Sequence, residues 1–235
     1  MILASLLLLG AAEVQAEDRE GLEQRFVAAV RDAAVAEPFE VVRELKAINP
    51  YESGLVWRGR PGKSSLRMLA WVKEGEGVPL TVGETFVVED PLVLTVVPEL
   101  VVFCRTRGPR RERQRTLRLE QLLGLPPDAG KQRMVELWVP VEELFRRCLD
   151  PEVTDHECSL VTPRAGGRIA IDAQHSAELL ALRRQNQPER ITTSLGYTYD
   201  WGNPRSEVGL SEFVAQPGAQ VEVHSVTPTL EYCLR

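Results

Sequence analysis

The sequence predicts an α+β fold: a mainly antiparallel sheet with packed helices, a helical N-terminus and two disulfides. Three observations lead there. Apolar residues recur at helical spacing before Asn49 and at strand spacing after Ser65. Short β-branched runs are then divided by Pro and Gly turns. The cysteine count is four, an even number.

The chain of 235 residues opens with an apolar run, Ile2 to Ala12. That run is too short for a bilayer, which takes about 20 residues per helix. Val14-Gln15-Ala16 follows as a small-x-small cleavage pattern. Residues 1–16 therefore read as a secretory signal peptide. Residues 17–235 read as a single α+β domain, with 17–50 its helical N-terminal segment. The expected location is periplasmic or secreted. A formal net charge of −6 gives no general pull toward nucleic acid. The most apolar later stretch, Phe86 to Cys104, is cut by Glu89, Asp90, Pro91, Pro98 and Glu99, so no membrane span is expected.

Glu17 to Ala36 places Leu22, Phe26, Val30 and Ala33 on one helical face, and Pro38 stops it. Phe39 to Ile48 repeats the spacing with Val41, Val42, Leu45 and Ile48 and predicts a second helix. Tyr51 to Ser65 is a Gly-, Pro- and Arg-rich loop. Its Gly59-Arg60-Pro61-Gly62-Lys63-Ser64 lacks the leading glycine of a phosphate loop, since Trp57 stands there. From Leu66 the period becomes two, through Met68, Ala70 and Val72. Thr85–Val88, Leu92–Val97 and Leu100–Cys104 read as further strands.

Arg105 to Arg118 holds seven arginines around a Gly108-Pro109 turn. It reads as a solvated hairpin tip, partly paired with Glu112 and Glu120. Its functional alternative is an anion-binding dock for an envelope partner, carried by Arg110, Arg111 and Arg113. Leu117 to Leu125 reads as a short helix, and Val135–Val139 as a strand. Pro140 then suits the first turn of a helix Val141–Cys148, whose glutamates and arginines match the helix dipole. Asp172–Gln187, with His175, reads as a further helix.

Four cysteines allow three pairings. Closure cost favours short-range partners, Cys148 with Cys158, which leaves Cys104 with Cys233. Cys148, His156 and Cys158 also supply three of the four groups of a tetrahedral zinc. Export favours the disulfide. No metal or other cofactor is expected.

The C-terminal meander is densest in candidate site residues. Tyr197, Tyr199 and Trp201 alternate, which puts their rings on one strand face as a ligand-binding surface, with Asp200 turned away. Rings beside carboxylates suit a sugar site, where two carboxyls act as acid and base or nucleophile. Asp200, Glu207 and Glu212 are the catalytic candidates. Ser211-Glu212-Phe213-Val214, with Pro217-Gly218 and Val221-Glu222-Val223, resembles the end of an ADP-ribosyltransferase domain. The resemblance covers this tail alone, and would make Glu212 the catalytic glutamate. Leu210 stands where that family carries Gln or Glu. Serine-hydrolase, zinc-protease and dinucleotide motifs are missing from the sequence.

The expectation is therefore an exported, soluble protein that binds a ligand or a partner: a protein, a glycan or an anionic envelope component. Its alternative is a glycoside hydrolase-like or ADP-ribosyltransferase-like enzyme built on residues 200–212.

Overall fold

A computed structural model describes residues 19–108, 112–160 and 190–234. The segment expected to be a signal peptide, Arg110, Arg111 and the predicted helix Asp172–Gln187 with His175 lie outside them. The fold is α+β, built on a large antiparallel sheet. Its elements are helix α1 (residues 19–33), strands β1 (Trp57–Arg58), β2 (Ser65–Val72), β3 (Thr85–Val87) and β4 (Leu92–Val96), and helices α2 (Glu99–Arg107) and α3 (Glu112–Leu122). Strands β5 (Arg133–Pro140), β6 (Leu144–Phe145), β7 (Tyr197–Tyr199), β8 (Val208–Ser211), β9 (Phe213–Ala215) and β10 (Gln220–Pro228) follow, and α4 (Thr229–Tyr232) ends the chain.

Two long chain segments close the sheet on itself. Residues 85–88 pair with 219–222, and residues 92–94 pair with 213–215 in the same register, across a turn at residues 216–219. Thr85 faces Glu222 in β3–β10, the Val88 N–H donates to the Ala219 carbonyl, and Leu94 faces Phe213 in β4–β9. β4 also pairs β2, β2 pairs β5, and β5 pairs β10, so the ladder returns to its start. The result is a small antiparallel barrel.

The period of two decides what fills it. Leu66, Met68, Ala70 and Val72 of β2 turn inward to meet Val135, Leu137 and Val139 of β5. Phe213, Ala215, Val221 and Val223 complete the interior. The outward residues divide the barrel wall. Leu69, Trp71 and Met134 pack beneath Leu100 and Phe103 of α2 and Leu119 and Leu122 of α3. Elsewhere the wall is polar: Arg67 bridges Glu136 and His224, and Arg58 pairs with Glu222.

Both expected disulfides are present. Cys104–Cys233 ties α2 to the end of α4, and Cys148–Cys158 closes the loop after β6, with Cα separations of 5.2 and 6.1 Å. Their sulfurs bond to each other, so neither Cys148 nor Cys158 offers a thiolate to zinc. His156 Nδ1 instead lies 2.8 Å from the Leu45 carbonyl.

Four local expectations give way to tertiary contacts. Phe39–Ile48 is not a helix. After a 3-10 turn, Pro38–Glu40, the chain runs irregularly, because Leu45 N–H donates to His156 O and Ile48 N–H to Val153 O. Leu100–Cys104 is helical rather than extended: Leu100, Phe103 and Cys104 are buried while Val102 is 54% exposed, a period of 3.6. Val141–Cys148 stops as a 3-10 turn, Val141–Glu143, because Leu144 and Phe145 pair with the edge of β9. The flanks of the stretch 105–118 are helical, not strands: 105–107 end α2 and 112–118 open α3. Glu120 there is buried and accepts the Asp128 and Ala129 N–H groups at 3.2 and 2.9 Å. Arg113 is exposed on α3.

The loop after β6 is organised by one side chain. Arg146 is fully buried. It donates to the carbonyls of Lys46, Glu152, Asp155 and Glu157 and to the Asp155 carboxylate, at 2.7–3.2 Å. Its guanidinium also lies 5.5 Å from the Phe213 ring centre, so the loop is pinned to the barrel end.

Candidate functional site: two grooves beside the 200–207 loop

The β7–β8 hairpin stands beside the barrel, packed between α1 and α3. Tyr197 faces Ser211 and Tyr199 faces Val208, with a bulge between the two pairs. Thr198 fixes the hairpin to α3: its hydroxyl donates to the Leu122 carbonyl at 2.7 Å and accepts the Leu210 N–H. Gly209 is required there, because a Cβ would collide with that hydroxyl and with the Leu122 carbonyl.

The hairpin loop makes a ridge with an open groove on each side. One groove, about 510 Å³, runs between the loop and α1 and is lined by Arg25, Asp32, Tyr199, Arg205 and Glu207. The other, about 550 Å³, runs between the loop and α2–α3 and is lined by Phe103, Arg118, Val208 and Leu210. Asp200, Asn203, Pro204 and Arg205 border both.

The three aromatic rings point into the protein. Tyr197 is 1% exposed, and Tyr199 and Trp201 are 9% exposed. Trp201 packs edge-on against Phe26 with ring centres 5.8 Å apart, and donates from Nε1 to the Leu125 carbonyl. Tyr197 packs on Leu45 and the Cys148–Cys158 bridge, and donates from its hydroxyl to the Glu40 carbonyl at 3.2 Å. Tyr199 donates to Asp32 Oδ2 at 2.6 Å, at the wall of the first groove. Burial, then the nearby carboxylates, pushes both phenols up, so neither ionises near neutrality.

The three carboxylates separate. Asp200 is 3% exposed and receives both Arg118 nitrogens, Nη1 at 2.7 Å and Nη2 at 2.5 Å. Its Oδ1 also accepts the Gly202 N–H, so both oxygens are occupied. Arg118 lies over the Phe103 ring at 5.0 Å, which fixes the fork from behind. Glu212 is 4% exposed at the β8–β9 junction, with Oε2 3.5 Å from Arg190 Nη1, and borders neither groove. Asp200 borders both grooves but is held by Arg118, whereas Glu207 lines the first groove with no arginine on it among the described residues. Glu207 shares that groove with Asp32, and buried Glu40 lies near both. Burial raises the Glu40 carboxyl above its ordinary value, and the charges of Asp32 and Glu207 add to this.

Sequence reasoning did not reach Asp32 or Arg118. Asp32 carries no local signal, being an acid on an exposed helical stripe. Arg118 is one arginine among seven, and only the fold sets it apart by bringing Asp200 to it.

Among the described residues, no helix is long and apolar enough to cross a membrane. Compared with protein-family models, curated proteins and solved structures, the chain shows no match.

Proposed function

We propose that this is an exported binding protein whose ligand seat is the pair of grooves beside the 200–207 loop. The observation that carries the reading is the ridge itself. Asn203, Pro204 and Arg205 stand between two open polar grooves on a frame braced by two disulfides. The disulfides support an oxidising location, hence the periplasm or the outside of the cell. Mixed charge along the ridge, with Arg25 and Arg205 near Asp32 and Glu207, suits an extended polar ligand such as a peptide or a glycan strand.

The alternative, a hydrolase or transferase, draws its support from Glu207 alone. Asp200 and Glu212 are each committed to an arginine. A general acid or base needs a free position within reach of the substrate.

Calorimetric titration of the full chain against soluble envelope glycans and short peptides tests the reading. One ligand class is expected to bind, and Arg205→Ala with Glu207→Gln to weaken it at least about tenfold. Binding untouched by both substitutions would remove the grooves from the argument. Turnover that Glu207→Gln abolishes would move the protein to the enzyme class.

A further inference from the structure

We infer that the exposed face of α1 is a self-complementary dimerisation surface that takes a second copy of this chain. The proposal is independent of the ligand reading, because the flank used is a different one. A largely apolar groove of about 420 Å³ lies between α1 and Pro126-Pro127. Phe26 and Val30 form its floor, and Val27, 44% exposed, forms its lip.

The charges on its rim identify the occupant. Glu23 stands four residues before Val27, and Arg31 four residues after it. At 1.5 Å per residue, each lies about 6 Å along the axis from Val27, in opposite directions. A two-fold axis through Val27 lays a second α1 antiparallel on the first. Val27 then meets Val27, and Glu23 of each copy meets Arg31 of the other. An isologous contact is self-complementary, and opposite charges equidistant from an apolar centre meet that condition. A partner of uniform charge would leave one end of the stripe opposed.

The pairing is also open to be made. Arg31 is exposed and has no carboxylate within 4 Å among the described residues. Glu23 meets only Arg19, at 3.1 Å, and both side chains are more than half exposed, so little holds it back. The face cannot turn away, since Ala29 and Ala33 anchor the other side of α1 on Ile191 and Trp201. One helix per copy gives an interface at the small end of specific contacts, so association is expected on the order of micromolar.

Sedimentation equilibrium of the full mature chain tests the proposal, with circular dichroism to verify that each variant is folded. Wild type is expected to dimerise. Glu23→Arg alone and Arg31→Glu alone are each expected to weaken association by about tenfold or more, because each sets like charges together. The double exchange, Glu23→Arg with Arg31→Glu, is expected to restore it. A wild type that stays monomeric overturns the proposal. So does a dimer indifferent to the single exchanges, or a folded double variant that stays monomeric.

Discussion

Arg146 and Arg118 hold neighbouring loops by different means. Arg118 makes one two-pronged contact with a single carboxylate, Asp200. Arg146 spreads itself over four carbonyl oxygens and one carboxylate, and that carboxylate, Asp155, is 47% exposed on its side chain. The first arrangement is a closed charge pair, so removing both partners together leaves no unpaired charge and releases one backbone donor, the Gly202 N–H. The second is a cage, in which the guanidinium replaces water for a whole stretch of backbone. Nothing can be deleted opposite it to compensate.

Four experiments break or sharpen that contrast, in falling order of effect. Arg146→Ala is expected to destabilise by about 3–5 kcal/mol in urea unfolding. Arg146→Lys should recover little, because an ammonium cannot reach acceptors arranged around a planar fork. Next, Cys148→Ser with Cys158→Ser is expected to cost about 3 kcal/mol. That cost should shrink in the Arg146→Ala background, since both devices hold the same loop. Additive losses would mean that cage and bridge act separately.

Third, Arg118→Met is expected to cost about 2–3 kcal/mol, by stranding the Asp200 charge. Adding Asp200→Leu should regain most of it. A double variant no better than the single one would erase the distinction between pair and cage.

The smallest effect concerns carboxylates held without any cation within 4 Å among the described residues. Burial is the main cause that lifts Glu99 and Glu120 from 4.5 to about 7. Among the described residues Glu99 Oε2 has no hydrogen-bond partner, and the carboxyl meets Ser211 alone, with Oε1 3.5 Å from its Oγ. The folded chain keeps these protons to higher pH than the unfolded chain. Their contribution is therefore full below about pH 4.5 and is lost as pH rises through about 7. Urea unfolding at pH 5 and pH 8 should show that loss, and Glu99→Gln should flatten it.

What the sequence made legible follows the same divide between apolar pattern and polar partnership. Alternation in Leu66 to Val72 and in Val135 to Val139 marked the barrel wall, because a filled interior tolerates only apolar side chains at every second position. Loop-closure cost anticipated both cysteine pairs. The pattern failed where two periods compete. Val101 and Val102 favour a strand by propensity, yet Leu100, Phe103 and Cys104 bury as a helix. It failed again where a distant edge recruits a segment, as β9 recruits Leu144 and Phe145. The groove residues were half visible. The 197–212 stretch stood out as dense in polar and aromatic groups, and its loop lies between the two grooves. Which of its carboxylates would be captured by arginine was not readable, because Arg118 and Arg190 approach from outside that stretch.

The long-range pairing of residues 85–94 with 213–222 has a consequence for how the chain folds. The strand that completes the barrel is the last one synthesised. Until it arrives, β3 and β5 lack the neighbour that each flanks in the finished sheet, and Cys104 waits for Cys233. A nascent chain of this design stays open over most of its length, as long-range pairing delays closure.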